Sequence, residues 1–111
     1  MKFLMLVQSD REAEPYTPEG DDAPDWAAEA DASGARLDGD RLRPAEEAKG
    51  VRVRGGRLLV TDGPFAETKE AIVGYDVLQC ADLDEAIELA SRHPMARFGR
   101  IELRAVWPFE D

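Results

Sequence analysis

The stretch "TDGPFAETKEAIVGY" holds the densest set of side chains able to do chemistry. A strand-like run ends there in Asp62-Gly63-Pro64-Phe65, and Glu67, Lys69 and Glu70 follow. Asp62 closes an apolar row, from which a carboxylate can act as a general base. Its structural alternative is turn chemistry, because an Asp before Gly-Pro can accept bonds from the next backbone amides. Phe65 is either a plug that seats the loop in the core or a platform for a ligand. Glu67, Lys69 and Glu70 form either a solvated rim or a binding edge. In the binding case, Lys69 holds an anionic ligand and Glu70 points inward along the next strand.

His93 is the sole histidine of the chain. At the end of a helix, its cation would benefit from the helix dipole. It is also the second candidate acid–base group beside Asp62, since imidazole titrates near neutrality. One histidine cannot build a multi-histidine metal centre, and no metal or cofactor is implied. Tyr75 stands on a strand, either as a ligand contact or as core or dimer packing. Cys80 has no neighbouring base and reads as a small buried hydrophobe. "RGGR" lacks the strand-to-helix context of a phosphate cradle. Arg52, Arg54 and Arg57 cluster around it, placed either to grip an acidic partner or to balance neighbouring acids.

These groups belong to a chain of 111 residues, read as one domain over 1–111. Its net charge of −10 argues against a nucleic-acid or anionic-membrane partner. A single cysteine makes no internal disulfide. "MKFLMLVQ" is too short for a signal peptide or a membrane span. The expectation is a cytoplasmic protein.

The elements that must position the candidates follow from periodicity. "KFLMLVQ" is apolar on both faces and predicts a central strand. After an acidic loop, Pro24 opens a short helix with Trp26, Ala27 and Ala30 on one side, interrupted at Gly34. "DGDRLRPAEEAKG" reads as connection, with a brief edge strand around Leu42. "VRVRGGRLLVTD" is a hairpin turning at Gly55-Gly56, which pairs Arg54 with Arg57, Val53 with Leu58 and Val51 with Val60. "EAIVGYDVLQC" is a strand with Ala71, Val73, Tyr75 and Val77 on one side, and Ile72, Gly74, Asp76 and Leu78 on the other. Asp82 caps the next helix, Glu85 closes a capping-box-like pair, and Leu83, Ala86, Ile87 and Ala90 form its inner stripe. Pro94 stops it, and "RIELRAVWPF" is the last strand.

This order predicts an α+β, ferredoxin-like antiparallel sheet with two helices on one face. Two short helices cover one side of the sheet. The bare side of the apolar first strand then needs a second copy of the chain.

"TDGPFAETKEAIVGY" also resembles the signature of the DGPF proteins, a branch of the YCII-related (YciI-like) family. "VRVRGGRLLVTDGPF" and "DLDEAIELASRHP" are similar to that family's hairpin and second helix, and "MKFLMLVQ" to its opening strand. The resemblance implies a ferredoxin-like fold and homodimers of the α+β-barrel kind, in which two sheets close on each other. Members associated with extracytoplasmic-function sigma factors imply a possible sigma-factor partner. The expected function is that of a small homodimeric protein that binds a small molecule or acts as an accessory module in a regulatory system. The alternatives are an enzyme using Asp62 with His93 or Glu70, and a sigma-factor interaction module.

Overall fold

Residues 1–63 and 71–110 are described in a computed structural model of the chain. In chain order the elements are β1 (Lys2–Gln8), α1 (Ala23–Ala32), β2 (Arg36–Arg41), β3 (Lys49–Arg54) and β4 (Arg57–Asp62). Then come β5 (Ile72–Gln79), α2 (Leu83–Ser91), α3 (Met95–Phe98) and β6 (Arg100–Ala105). No helix among the described residues is long and apolar enough to cross a membrane.

The apolar β1 takes a central position, antiparallel to β5 on one side and β6 on the other. β2 pairs antiparallel with β5, which makes the sheet order β2-β5-β1-β6. The β1–α1–β2 and β5–α2–β6 units therefore interleave, and the fold is the ferredoxin-like α+β plan expected from the order of elements. Trp26 and Ala30 of α1, with Ala86, Leu89 and Ala90 of α2, pack on Phe3, Met5, Val7 and Leu78. The Trp26 indole N–H donates to the Leu89 carbonyl at 2.9 Å and ties the two helices together. Pro24 stands in the first turn of α1, and Gly34 just beyond its end adopts a φ of 78°.

Several local expectations need correction. The strand expected near Leu42 begins earlier, at Arg36, and is a full edge strand with a bulge between Arg36 and Asp38. Its charged sequence "RLDGDR" has no alternation because an edge strand is wetted. On α2 the inner stripe is Ala86, Leu89 and Ala90, while Leu83 and Ile87 stay half exposed. The two alanines let the helix approach the sheet, and Leu89 is buried in the same core cluster as Trp26. Asp82 does cap α2, accepting from the Glu85 amide at 2.9 Å, but Glu85 reaches back to the Ala81 amide instead of that of the cap. Pro94 does not simply end a helix: it opens α3. β6 stops at Ala105, and Trp107 beyond it is exposed.

The hairpin has the expected register, with Arg54 opposite Arg57, Val53 opposite Leu58 and Val51 opposite Val60. Gly55 and Gly56 turn it with φ of 57° and 76°. It is inserted between β2 and β5 and forms a two-stranded sheet of its own. The side of the main sheet away from the helices is uncovered in the single chain. Leu4 opposite Val77, and Leu6 opposite Tyr75, form its centre. Asp38 and Asp40 flank Val77 and Tyr75, while Glu102 and Arg104 flank Leu6 and Leu4.

The core rests on side chains such as Met5, which is fully buried at the middle of β1. Met5→Ala is expected to cost about 2–5 kcal/mol, read from urea unfolding against the parent chain.

Candidate functional site

Alternation along β5 turns Gly74, Asp76 and Leu78 toward the helices. Asp76 is thus a buried carboxylate in an otherwise apolar row, and it requires a charged or hydrogen-bonding partner. Arg36, at the start of β2, supplies it. Its Nε donates to Asp76 Oδ1 at 2.7 Å. Nη1 donates to both oxygens of Asp31, at 3.0 and 3.1 Å, and Nη2 to the Gly39 carbonyl at 2.9 Å. The end of α1, the bulged β2 and the middle of β5 are joined by one guanidinium. Gly39 is required by this arrangement, because a Cβ there would collide with Asp76 Oδ1 and Arg36 Nη2. Burial pushes the Asp76 carboxyl above its usual range, and the Arg36 hydrogen bond and charge oppose that rise.

His93 sits in the turn between α2 and α3. Its Nδ1 accepts from the Met95 amide at 3.0 Å, so the neutral ring carries its proton on Nε2. The ring stands edge-on to Trp26, with centroids 4.7 Å apart. Burial pushes the imidazole below its ordinary pKa, against the pull of Asp21 and Asp22. Asp21 accepts from the Tyr16 hydroxyl at 2.6 Å and from the Ala23 amide at 3.1 Å. The Tyr16 bond, before the Ala23 one, holds the Asp21 carboxyl below its usual value.

These groups line one cavity of about 530 Å³. Arg36 and Asp76 form its sheet wall, Asp21 and His93 close it from the helix side, and Asp40 and Tyr75 also belong to its lining. Within it, Asp76 bonds through Oδ1 and His93 through Nδ1. Among the described residues no buried side-chain nitrogen or oxygen is left without a partner. Asp76 and His93 each line the cavity and keep a second polar atom, Oδ2 and Nε2, besides the one already bonded. They offer one acceptor and one donor, enough to orient a small polar molecule or to pass it a proton. Among the described residues no cluster of three His, Cys, Asp or Glu is placed to hold a metal ion.

Of the residues singled out in the sequence, His93 and Tyr75 line this cavity. The phenol pKa of Tyr75 is raised, chiefly by the negative charge of Asp38. Asp62 ends β4, is exposed, and makes an ion pair with Lys49, its neighbour across the hairpin. It lies outside the cavity. Phe65, Lys69 and Glu70 lie outside the described residues. Sequence reasoning passed over Asp76, Arg36 and Asp21. Alternation did place Asp76 beside Leu78, and a charge in that row was the available signal. Cys80 is buried, as a small hydrophobe would be.

Two outcomes check this geometry. Gly39→Ala should destabilise the fold by about 1–3 kcal/mol in denaturant unfolding, through displacement of the Arg36–Asp76 pair. For His93 the sign follows from a folded pKa below the ordinary 6.5. The unfolded chain takes up the proton first, so wild-type stability declines as pH falls below 6.5 toward the folded value. His93→Gln lacks that component. The stability difference between the two chains should hold steady above 6.5 and shift in favour of the variant below it. A pH-independent difference would contradict the buried neutral imidazole. Asp76 acts with the opposite sign at lower pH. Its raised folded pKa gives a contribution present below the ordinary 3.8 and lost as pH climbs through the folded value.

Residues 1–110 match the YCII-related domain family. A stretch of 50 residues is 48% identical to an uncharacterised protein of Rhizobium meliloti (strain 1021). The match spans 45% of this chain and 40% of that protein, so it covers less than half the length of this relative. The family match, in contrast, runs through every strand and helix that builds the cavity, and on that ground the chain belongs to the YCII-related family.

Proposed function

We propose that this protein is a cytosolic small-molecule-binding homodimer of the DGPF branch, with the Arg36–Asp76–His93 cavity as its ligand site. The observation that carries the reading is the meeting of two buried titratable groups in the lining of one cavity, each oriented by a hydrogen bond through one of its two polar atoms. Pockets that combine apolar walls with a few convergent polar groups are the usual sites of small ligands. The uncovered centre of the sheet, Leu4, Leu6, Tyr75 and Val77, supports the homodimer, since a second copy hides it from water. The Asp62-Gly63-Pro64-Phe65 stretch supports the branch.

A second reading makes the same cavity catalytic. A neutral imidazole and a buried carboxylate are a pair able to relay a proton, and the cavity holds both. In this reading His93 donates or accepts at Nε2, and Asp76 takes the place first given to Asp62. Arg36 is a positioning residue, because it acts through Asp76.

The test is a fragment screen on the ¹⁵N-labelled protein. Ligands should shift the amides of Gly39, Gly74, His93 and Met95. For the strongest hit, His93→Gln should weaken binding by about tenfold, the loss of one good hydrogen bond. If the strongest hits move only hairpin amides near Asp62, the cavity is the wrong site.

A further inference from the structure

The charged residues around the cavity are not all matched. Arg36 has its nitrogens on Asp76, Asp31 and the Gly39 carbonyl, so this cation is already answered by carboxylates. Two other residues of the lining lack such a match, the half-buried Asp21 and the exposed Arg41. Asp21 accepts from neutral donors, the Tyr16 hydroxyl and the Ala23 amide. Among the described residues neither Asp21 nor Arg41 takes part in an ion pair, with each other or with a third group.

The fold sets these two charges on different walls. β2 and β5 run in register from Asp38 onward, with Gly39 opposite Asp76 and Arg41 opposite Gly74. Opposed residues of a strand pair point to the same side of the sheet. Arg41 therefore leaves β2 toward the helices, as Asp76 leaves β5, while Asp38 and Asp40 leave on the far side. Gly74 is flanked in its row by Arg41 on β2 and Val7 on β1, and carries no side chain to fill the space between them. On the helix side, the Asp21 carboxylate is near enough to the His93 ring to favour its protonated form. Pro24, Val73 and Met95 add apolar lining.

A ligand with a single charge can answer only one of these groups, and it covers the other without giving it a partner. A ligand with both signs answers both, which favours it over either singly charged analogue. We propose that the cavity binds a small zwitterion of the α-amino-acid class, with its carboxylate on Arg41, its ammonium on Asp21 and its side chain against the apolar lining. A guanidinium can hold a carboxylate through two parallel N–H donors. The volume of about 530 Å³ accommodates an amino acid with a medium-sized apolar side chain. This inference rests on the ligand-site reading and adds the class of ligand.

The test compares matched probes on the ¹⁵N-labelled protein at neutral pH. Phenylalanine and leucine are titrated beside phenethylamine and isoamylamine, which lack the carboxylate, and beside hydrocinnamate and isocaproate, which lack the ammonium. The amides of Gly39, Gly74, His93 and Met95 should move, and at least one amino acid should bind about tenfold or more tightly than either of its analogues. Arg41→Gln should remove its advantage over the amine, and Asp21→Asn its advantage over the acid. Asp38→Asn, on the far face of β2, should leave both advantages in place. Three results overturn the zwitterion and leave a ligand cavity standing: analogues that bind there as tightly as the amino acids, amino acids that leave those amides unmoved while screened fragments shift them, or an Asp38→Asn loss equal to that of Asp21→Asn. If neither the amino acids nor any screened fragment moves those amides, the ligand-site reading falls as well.

Discussion

A carboxylate that β5 turns into the core has to be met by a cation, and the middle of this fold is arranged around that requirement. Arg36 meets Asp76 with Nε and uses its other nitrogens on Asp31 and Gly39. Three places in the chain are thereby held by one side chain: the last turn of α1, β2 just past its bulge at Gly39, and the centre of β5. A buried ion pair of this kind is poor evidence for net stability, since the desolvation of both charges offsets their attraction. Its value lies in specificity. The bulge, the glycine and the guanidinium must all be in place before Asp76 can be buried, and the cavity wall exists only when they are.

The polar character of the cavity follows from how its groups are engaged. His93 gives Nδ1 to the backbone of α3, and Asp76 gives Oδ1 to Arg36. Each is oriented by one atom and keeps a second polar atom besides. Burial acts on both in the direction of neutrality, downward for the imidazole and upward for the carboxyl. Asp21 on the opposite wall keeps its charge, because the Tyr16 hydroxyl and the Ala23 amide bond to it. The site thus sets two groups that resist ionisation beside one that favours it, which is the usual way a protein separates the roles of chemically similar side chains.

The parts of this arrangement that were legible in the sequence are the local ones. The hairpin register follows from a Gly-Gly turn and a period of two, and both signals agree over six residues of each strand. β1 and the capped start of α2 follow from equally local patterns. β2 was opaque because "RLDGDR" carries no alternation and only one apolar residue, Leu37, and only pairing with β5 makes it a strand. Leu83 and Ile87 fit a helical stripe as well as Leu89 does, and only the tertiary packing, which buries Leu89 and leaves the other two half exposed, decides between them. The site was half legible. His93 stood out as a lone histidine, and Asp76 could be placed on its face. Its partner Arg36 lies forty positions away in the chain, so no spacing rule reaches it.

The edge-on contact between Trp26 and His93 gives the molecule a built-in optical probe. A protonated imidazole quenches the fluorescence of an adjacent indole, whereas a neutral one does so far less. Of the two tryptophans, Trp26 is buried and Trp107 is exposed, so their emission bands separate, blue for the first and red for the second. The intensity of the blue band therefore registers the protonation of the cavity histidine directly. Anything that enters the cavity and changes that proton's affinity becomes visible without a label.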